Sequence, residues 1–335
     1  LRERLRLRAR GITRFALSPD GAQILVPLSG RLFLFGREDG QVRELPAEGG
    51  YAFDPRFSPD GTKLACVRGG ELYVVDLATG RQRKLTEGAS DTVSHGLAEF
   101  VAQEEMSRYR GFWWSPDSAS LLVQTTDQSA VELLYASNPI DPAAEPSAAR
   151  FPRAGTDNAD VRLRILRADG RGRPVDVRWD QETFPYLATV RWSQGGPLTL
   201  VVQDRRQQVA QILAAGDDGA TRLLHEERDD AWLNIDQSVP RWVEVAGAPA
   251  MLWSTERDGG FALELRDAEG ALLRPLTPPD LGYRGLLHVD EDAGMAYVNA
   301  SADPTEQHVV RVPLGGGDAA ALTNHRNEIV HVDLE

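Results

Sequence analysis

The chain has 335 residues, 41% of them hydrophobic and 26% charged, with a formal net charge of -13. That is ordinary globular composition and excludes a disordered chain, while the acidic balance argues against nucleic acid as the main partner, because phosphate binding needs a cationic footprint. No apolar run is long enough to span a bilayer, and the single cysteine, Cys66, excludes an internal disulfide.

Arg2, Arg4, Arg6, Arg8 and Arg10 alternate with Leu1, Leu5 and Leu7, so the opening reads as a strand and not as a nucleic-acid arm. The chain starts without Met, and no stretch reads as a signal peptide, so it reads as a piece of a longer protein. Next comes Phe15-Ala-Leu-Ser-Pro-Asp-Gly21, an apolar run at Ile24, Leu25 and Val26, then Arg31-Leu-Phe-Leu-Phe35. About forty residues later the order returns, with Phe57-Ser-Pro-Asp-Gly61, Leu64-Ala-Cys-Val67 and Glu71-Leu-Tyr-Val-Val75. Cys66 therefore sits in an apolar strand as a buried thiol.

A third copy begins at Trp113-Trp-Ser-Pro-Asp117 and continues through Leu121-Leu-Val123. The aromatic pair reads as blade core, with one ring free to face the insertion that precedes it. A period near forty residues with four short strands per unit is the mark of a β-propeller blade. Units at 11–50, 51–90, 109–165, 166–185 (partial or merged), 186–228, 238–282 and 283–325 predict an all-β propeller of seven or eight four-stranded blades, eight being preferred. Its domain covers 1–335, and the tail Ile329-Val-His-Val-Asp333 is expected to supply a closing strand.

Two stretches break the period. After Tyr135, the Pro- and Ala-rich segment 136–150 reads as an irregular excursion. The other break is a short helical insertion near 94–108. Leu97, Phe100 and Val101 lie at i, i+3 and i+4 and form an apolar stripe, and its next turn carries Glu104 and Glu105. Both carboxylates are therefore expected to face the body of the protein. Two like charges in a partly dry site raise one another's pKa unless a cation compensates. Arg108, at i+4 from Glu104, is one candidate cation; an external primary ammonium, with three donors, is another. A solvated surface helix is the bland alternative.

These residues carry a resemblance. Ala98-Glu-Phe-Val-Ala-Gln-Glu-Glu-Met106, Gly111-Phe-Trp-Trp-Ser-Pro-Asp117, Phe151-Pro-Arg-Ala-Gly155 with Asn158, and Trp253-Ser-Thr-Glu-Arg-Asp-Gly259 resemble the propeller domain of the dipeptidyl peptidase IV family, bacterial type, within the prolyl oligopeptidase group of serine peptidases. The resemblance implies an eight-bladed propeller capping an α/β-hydrolase domain. Glu104 and Glu105 match the family's glutamate pair, which holds the free α-amine of a peptide N-terminus so that only two residues reach the nucleophile. It also implies release of Xaa-Pro or Xaa-Ala dipeptides, a homodimer in the full-length protein, and a periplasmic or secreted setting.

There are departures from the family pattern. Where some members carry a substrate-contacting arginine, this chain reads Pro46-Ala-Glu-Gly-Gly50, so Arg108 or Arg110 is the candidate for that contact. Trp232 is a candidate for lining the substrate cavity, with a core position as the alternative. No Gly-x-Ser-x-Gly elbow occurs, so no catalytic residue is expected in this chain, and the hydrolase domain is expected elsewhere in the same protein. No cofactor or metal is predicted: the histidines, His325 and His331 included, lack zinc-type spacing, and Gly315-Gly-Gly317 reads as a hairpin and not as a phosphate loop. Two rival readings remain, a non-enzymatic propeller scaffold and the propeller of an acylaminoacyl or endo-type peptidase.

Overall fold

A computed structural model describes residues 11, 12, 14–141 and 143–323. The fold is an all-β propeller built of antiparallel blades. The described residues fall into two compact units, one taken from the chain up to Val101 and from Tyr109–Asp176, the other from Ala102–Arg108 and from Val177 onward.

In the first unit, the first blade is Ala16–Leu17, Gln23–Leu28, Arg31–Gly36 and Val42–Glu44; the second is Ala52–Phe57, Lys63–Arg68, Glu71–Asp76 and Gln82–Lys84. The recurrent Ser-Pro-Asp turn has a fixed internal bond. The hydroxyl of Ser18 donates to Asp20 at 2.6 Å, and that of Ser58 to Asp60 at 2.6 Å. Each Asp also accepts the backbone N–H two residues on, as short polar side chains do in turns. Gly21 and Gly61 take the left-handed position, at φ 68 and 70. The third copy has Ser118 there, at φ 59. A side chain in that conformation is strained, and its hydroxyl accepts the Asp60 N–H at 3.0 Å, which ties one turn to the next.

Blade faces pack pairwise. Leu25, Leu32 and Leu34 of the first blade meet Leu64, Cys66 and Val75 of the second. Ala65, Val67 and Leu72 on the other face meet Phe112, Trp114, Leu121 and Val123 of the third. Cys66 is fully buried, as expected, and burial pushes its thiol pKa up. Trp113 and Trp114 are both core.

The third blade explains the insertion. Its second strand, Ser120–Asp127, pairs with two separate segments on one side: Phe112–Trp114 against 121–123, and Val93–His95 against 125–127. The ladder continues across the gap, with the Gly96 N–H donating to Gln124 O at 2.7 Å and the Gln124 N–H to Gly111 O at 2.8 Å. One first strand has thus been split, and residues 97–110 are looped out of it. An antiparallel bridge between Leu97 and Arg110 pinches the neck. Gly111 is dictated by that closeness, because a Cβ there would lie 2.4 Å from the carbonyl carbon of Gly96 and the nitrogen of Leu97.

The same blade decides two expectations. Of the two readings of 166–185, a partial unit or a merged one, the structure has the merged one: Asp160–Arg167 pairs along the whole of Ser120–Asp127 as the third strand, and Val175–Val177 is the fourth. The described residues therefore carry six blade sheets, where seven or eight units were expected. The excursion after Tyr135 is not irregular: Leu133–Ala136 pairs with Ser147–Arg150 in a separate hairpin. Its alanines mask the alternation that would have marked it as strand. The expected strands at the N-terminal arginines and at 329–333 lie outside the described residues, as do His325 and His331.

In the second unit, the blades are Tyr186–Arg191, Leu198–Gln203, Val209–Ala215 and Thr221–Arg228; then Arg241–Val245, Ala248–Thr255, Ala262–Asp267 and Leu272–Pro275; then Tyr283–Asp290, Met295–Ala300, His308–Pro313 and Ala320–Ala321. Gly316 and Gly317, at φ 90 and 120, lie in the connection between the last two strands. Trp242, 2% exposed, donates its indole N–H to Thr199 Oγ1 at 2.8 Å. The Trp253-Ser-Thr-Glu-Arg stretch surrounds a buried carboxylate, Glu227. It accepts bonds from Thr255 Oγ1 at 3.0 Å and Trp253 Nε1 at 3.2 Å, contacts His225 Nε2 at 3.0 Å, and pairs with Arg257 at 3.4 Å.

Two predictions follow from these contacts. Gly111→Val is expected to lower the melting temperature by roughly 5–10 °C, because the split strand can no longer close at its neck; calorimetry against wild type measures it. Burial alone would raise the Glu227 carboxyl, but the bonds from His225, Trp253 and Arg257 outweigh it and hold the pKa at about 2, below the ordinary 4.5. A depressed folded-state pKa contributes stability that is complete above the unfolded value and lost as pH falls through the folded one. About 3 kcal/mol should therefore disappear between about pH 5 and pH 2, and that part of the slope should be absent from urea titrations of Glu227→Gln.

Candidate functional site

The looped-out segment contains one short helix, α1 (Phe100–Glu105). Its buried side follows Ala98, Ala102 and Met106, at i, i+4 and i+8. This corrects the predicted stripe. Leu97 precedes the helix and serves the neck bridge, and Phe100 and Val101 are only half-buried. Phe100 instead meets Phe151 edge-on, with ring centroids 4.9 Å apart. The helix ends when Ser107 enters the left-handed region at φ 54 and the Arg108 N–H reaches back to Ala102 O at 2.9 Å. A serine in that left-handed conformation stores local strain.

Glu104 is half-buried and Glu105 exposed. The expectation that both face inward is corrected for Glu105: consecutive helical residues point about 100° apart, and here only Glu104 is turned partly toward the protein. Arg108 is 4% exposed, and its Nε donates to the carbonyl of Leu187 at 3.0 Å. That bond gives Arg108 a main-chain acceptor in the fourth blade. Arg110 is exposed. Trp232 is 61% exposed, which corrects the core alternative; its backbone N–H donates to Asp229 Oδ1 at 3.1 Å.

The carbonyl that Arg108 reaches is available for a reason. The strand Tyr186–Arg191 carries a bulge, since Leu187 opposes Val202 and Thr189 opposes Val201, which skips Ala188. Gln237, from the loop before the fifth blade, uses the same bulge. Its Nε2 donates to Ala188 O at 2.8 Å and to Met106 O at 2.7 Å, and its Oε1 accepts the Thr189 hydroxyl at 3.1 Å.

Beside this turn lies a cavity of about 270 Å³, lined by Ser107, Asp236, Gln237, Phe261, Tyr283 and Arg284, together with Ile235. Tyr283, 2% exposed, donates its hydroxyl to Asp236 Oδ2 at 2.8 Å. Asp236 Oδ1 accepts the Ser238 hydroxyl and also its N–H, the latter at 2.8 Å. Burial, and then the Asp236 charge, raise the Tyr283 phenol well above its ordinary pKa. Sequence reading missed these residues because they come from four separate segments. The one legible signal was Asp236-Gln-Ser238, an Asx-type turn. Among the described residues no cluster of three or more His, Cys, Asp or Glu could hold a metal, and no helix is long and apolar enough to cross a membrane.

Residues 18–332 match the family model described as the dipeptidyl peptidase IV N-terminal region. The chain belongs to this family. Human dipeptidyl peptidase 8 is 25% identical over 233 residues, which cover 54% of this chain and 26% of that protein. The Emericella nidulans protein named "Probable dipeptidyl-aminopeptidase B" is 23% identical over 305 residues, covering 80% of this chain and 33% of that protein. The chain thus spans about a quarter to a third of these curated relatives. The crystal structure of Porphyromonas gingivalis dipeptidyl peptidase 4 matches with a TM-score of 0.82 at 21% identity, covering 95% of this chain and 47% of that one. At that identity the likeness concerns the fold. Among the described residues of this dipeptidyl peptidase IV N-terminal region, the split strand and its short helix are a departure from plain blade construction that carries adjacent carboxylates.

Tyr283→Phe removes a donor from a half-buried carboxylate and should cost about 1–3 kcal/mol of stability. The wild-type phenol has a raised folded-state pKa, so its contribution is complete below the ordinary value of 10.0 and is lost as pH rises past it. Chemical denaturation across that range should show a steeper alkaline loss for wild type than for Tyr283→Phe.

Proposed function

We propose that this chain is the substrate-gating propeller of a dipeptidyl peptidase IV-like serine exopeptidase, and that Glu104 and Glu105 bind the free α-amine of a peptide N-terminus. The observation that carries the reading is the pair itself: two adjacent carboxylates, one half-buried and one open to solvent, at the end of a helix whose C-terminal turn is bonded into a blade. An ammonium offers three donors and one positive charge, which suits two carboxylates facing it from different angles. In this reading dipeptides of the Xaa-Pro or Xaa-Ala type are released, because the amine anchor limits how much chain can pass toward a nucleophile.

The nucleophile, acid and histidine belong to an α/β-hydrolase domain elsewhere in the same protein. The low coverage of the curated relatives supports this division. The full-length protein is a homodimer in the same reading. Arg110, exposed beside the neck, is the better candidate to meet a substrate carbonyl, since the Nε of Arg108 is already committed to Leu187. Trp232 is open enough to contact a peptide.

Removing one charge-assisted bond to the amine costs about 1.5–3 kcal/mol, or roughly ten- to hundredfold. Glu104→Ala and Glu105→Ala in the full-length protein should each lower kcat/KM on alanyl-proline p-nitroanilide by about that factor. Circular dichroism should be unchanged. Wild-type kinetics in both folded variants would remove the proposal.

A further inference from the structure

Gln237 has no role in amine chemistry by its type, yet its position in the bonding scheme is unusual. Its side-chain amide spends both hydrogens on main-chain carbonyls of two different elements and accepts a hydroxyl from a third residue. One carbonyl, Met106 O, belongs to the residue that directly follows α1. The last carbonyls of a helix have no partner inside it and need one from elsewhere. The other carbonyl, Ala188 O, belongs to the bulged residue of its strand, and Ala188 is fully buried. The bulge thus presents two adjacent carbonyls, Leu187 O to Arg108 and Ala188 O to Gln237, and both bonds act on the turn that follows Glu104 and Glu105.

We infer that Gln237 is a positioning residue for amine recognition: it holds the C-terminal turn of α1 against the bulged strand, so that Glu104 and Glu105 keep a fixed spacing and direction toward the amine. The inference rests on the proposed function. Two side chains bind one ammonium well only when their backbone is held to within about half an ångström. Six helical residues cannot hold themselves, because so short a helix is unstable without tertiary bonds. Ser107 adds strain at the same turn, and the Gln237 and Arg108 bonds oppose its release. Gln237 does not need to touch the substrate for this role.

The test separates positioning from plain stability. In the full-length protein, kcat/KM is measured on alanyl-proline p-nitroanilide and on propionyl-proline p-nitroanilide, which has the same shape without the amine. The ratio of the two reads amine recognition alone, since a lower folded fraction reduces both equally. Gln237→Leu should shrink the ratio about tenfold and leave the propionyl substrate unchanged. Thr189→Val, which removes only the hydroxyl bond and keeps the shape, should shrink it about threefold. Should Gln237→Leu fail to fold, Thr189→Val decides alone.

Ratios within about twofold of wild type in the folded variants would overturn the inference. Glu104→Ala serves as the control for the underlying reading. If it too leaves the ratio at the wild-type value, the amine site itself is wrong. If it collapses the ratio while the Gln237 and Thr189 variants do not, only the clamp is wrong.

Discussion

The bonds between a bulged strand and an inserted turn fix how the end of α1 is held. A bulge at Ala188 leaves buried carbonyls that the ladder does not use, and Gln237 and Arg108 supply the donors. A buried carbonyl without a donor is costly, so neither side of this arrangement is free to drift. The same donors meet the need of a helix end, where Met106 O would otherwise lack a partner. A strand defect and a helix terminus, each unfavourable alone, are thus satisfied by one glutamine and one arginine.

The insertion itself follows from strand economics in the third blade. Ser120–Asp127 keeps partners along its length because both halves of the split strand return to it, and residues 97–110 leave and re-enter at nearly one point. Gly96 and Gly111 mark that point, and no side chain fits at Gly111. A loop closed so tightly at its neck can carry strained and charged residues at its far end without disturbing the blade, which is how functional loops sit on rigid scaffolds. The left-handed Ser107 and the adjacent carboxylates Glu104 and Glu105 are such residues.

The cavity next to this turn has its own chemistry. Asp236 is held by Tyr283 and Ser238, so its charge is fixed in direction, while Arg284 brings an opposite charge to the same lining and Phe261 an apolar surface. The lining is therefore mixed in charge and polarity and not wholly apolar.

Local features of the chain decided the blades. The Ser-Pro-Asp turns at Ser18, Ser58 and Ser115, the alternating strands after them and the forty-residue period needed no tertiary information, because each blade is formed by neighbours in sequence. The adjacent acids, the Trp113-Trp114 pair and the family were legible for the same reason. Three things were not. The buried positions around α1 are Ala98, Ala102 and Met106 and not Leu97, Phe100 and Val101, and no sequence pattern records which face a partner covers. Whether 166–185 stands alone or merges with the third blade is not legible in the sequence, because a long excursion separates two strands that pair directly. Gln237 lies 131 positions from the carbonyl it bonds, and hydrogen bonds to main-chain oxygen impose no residue type on the acceptor side, so only the folded chain could bring that pair together.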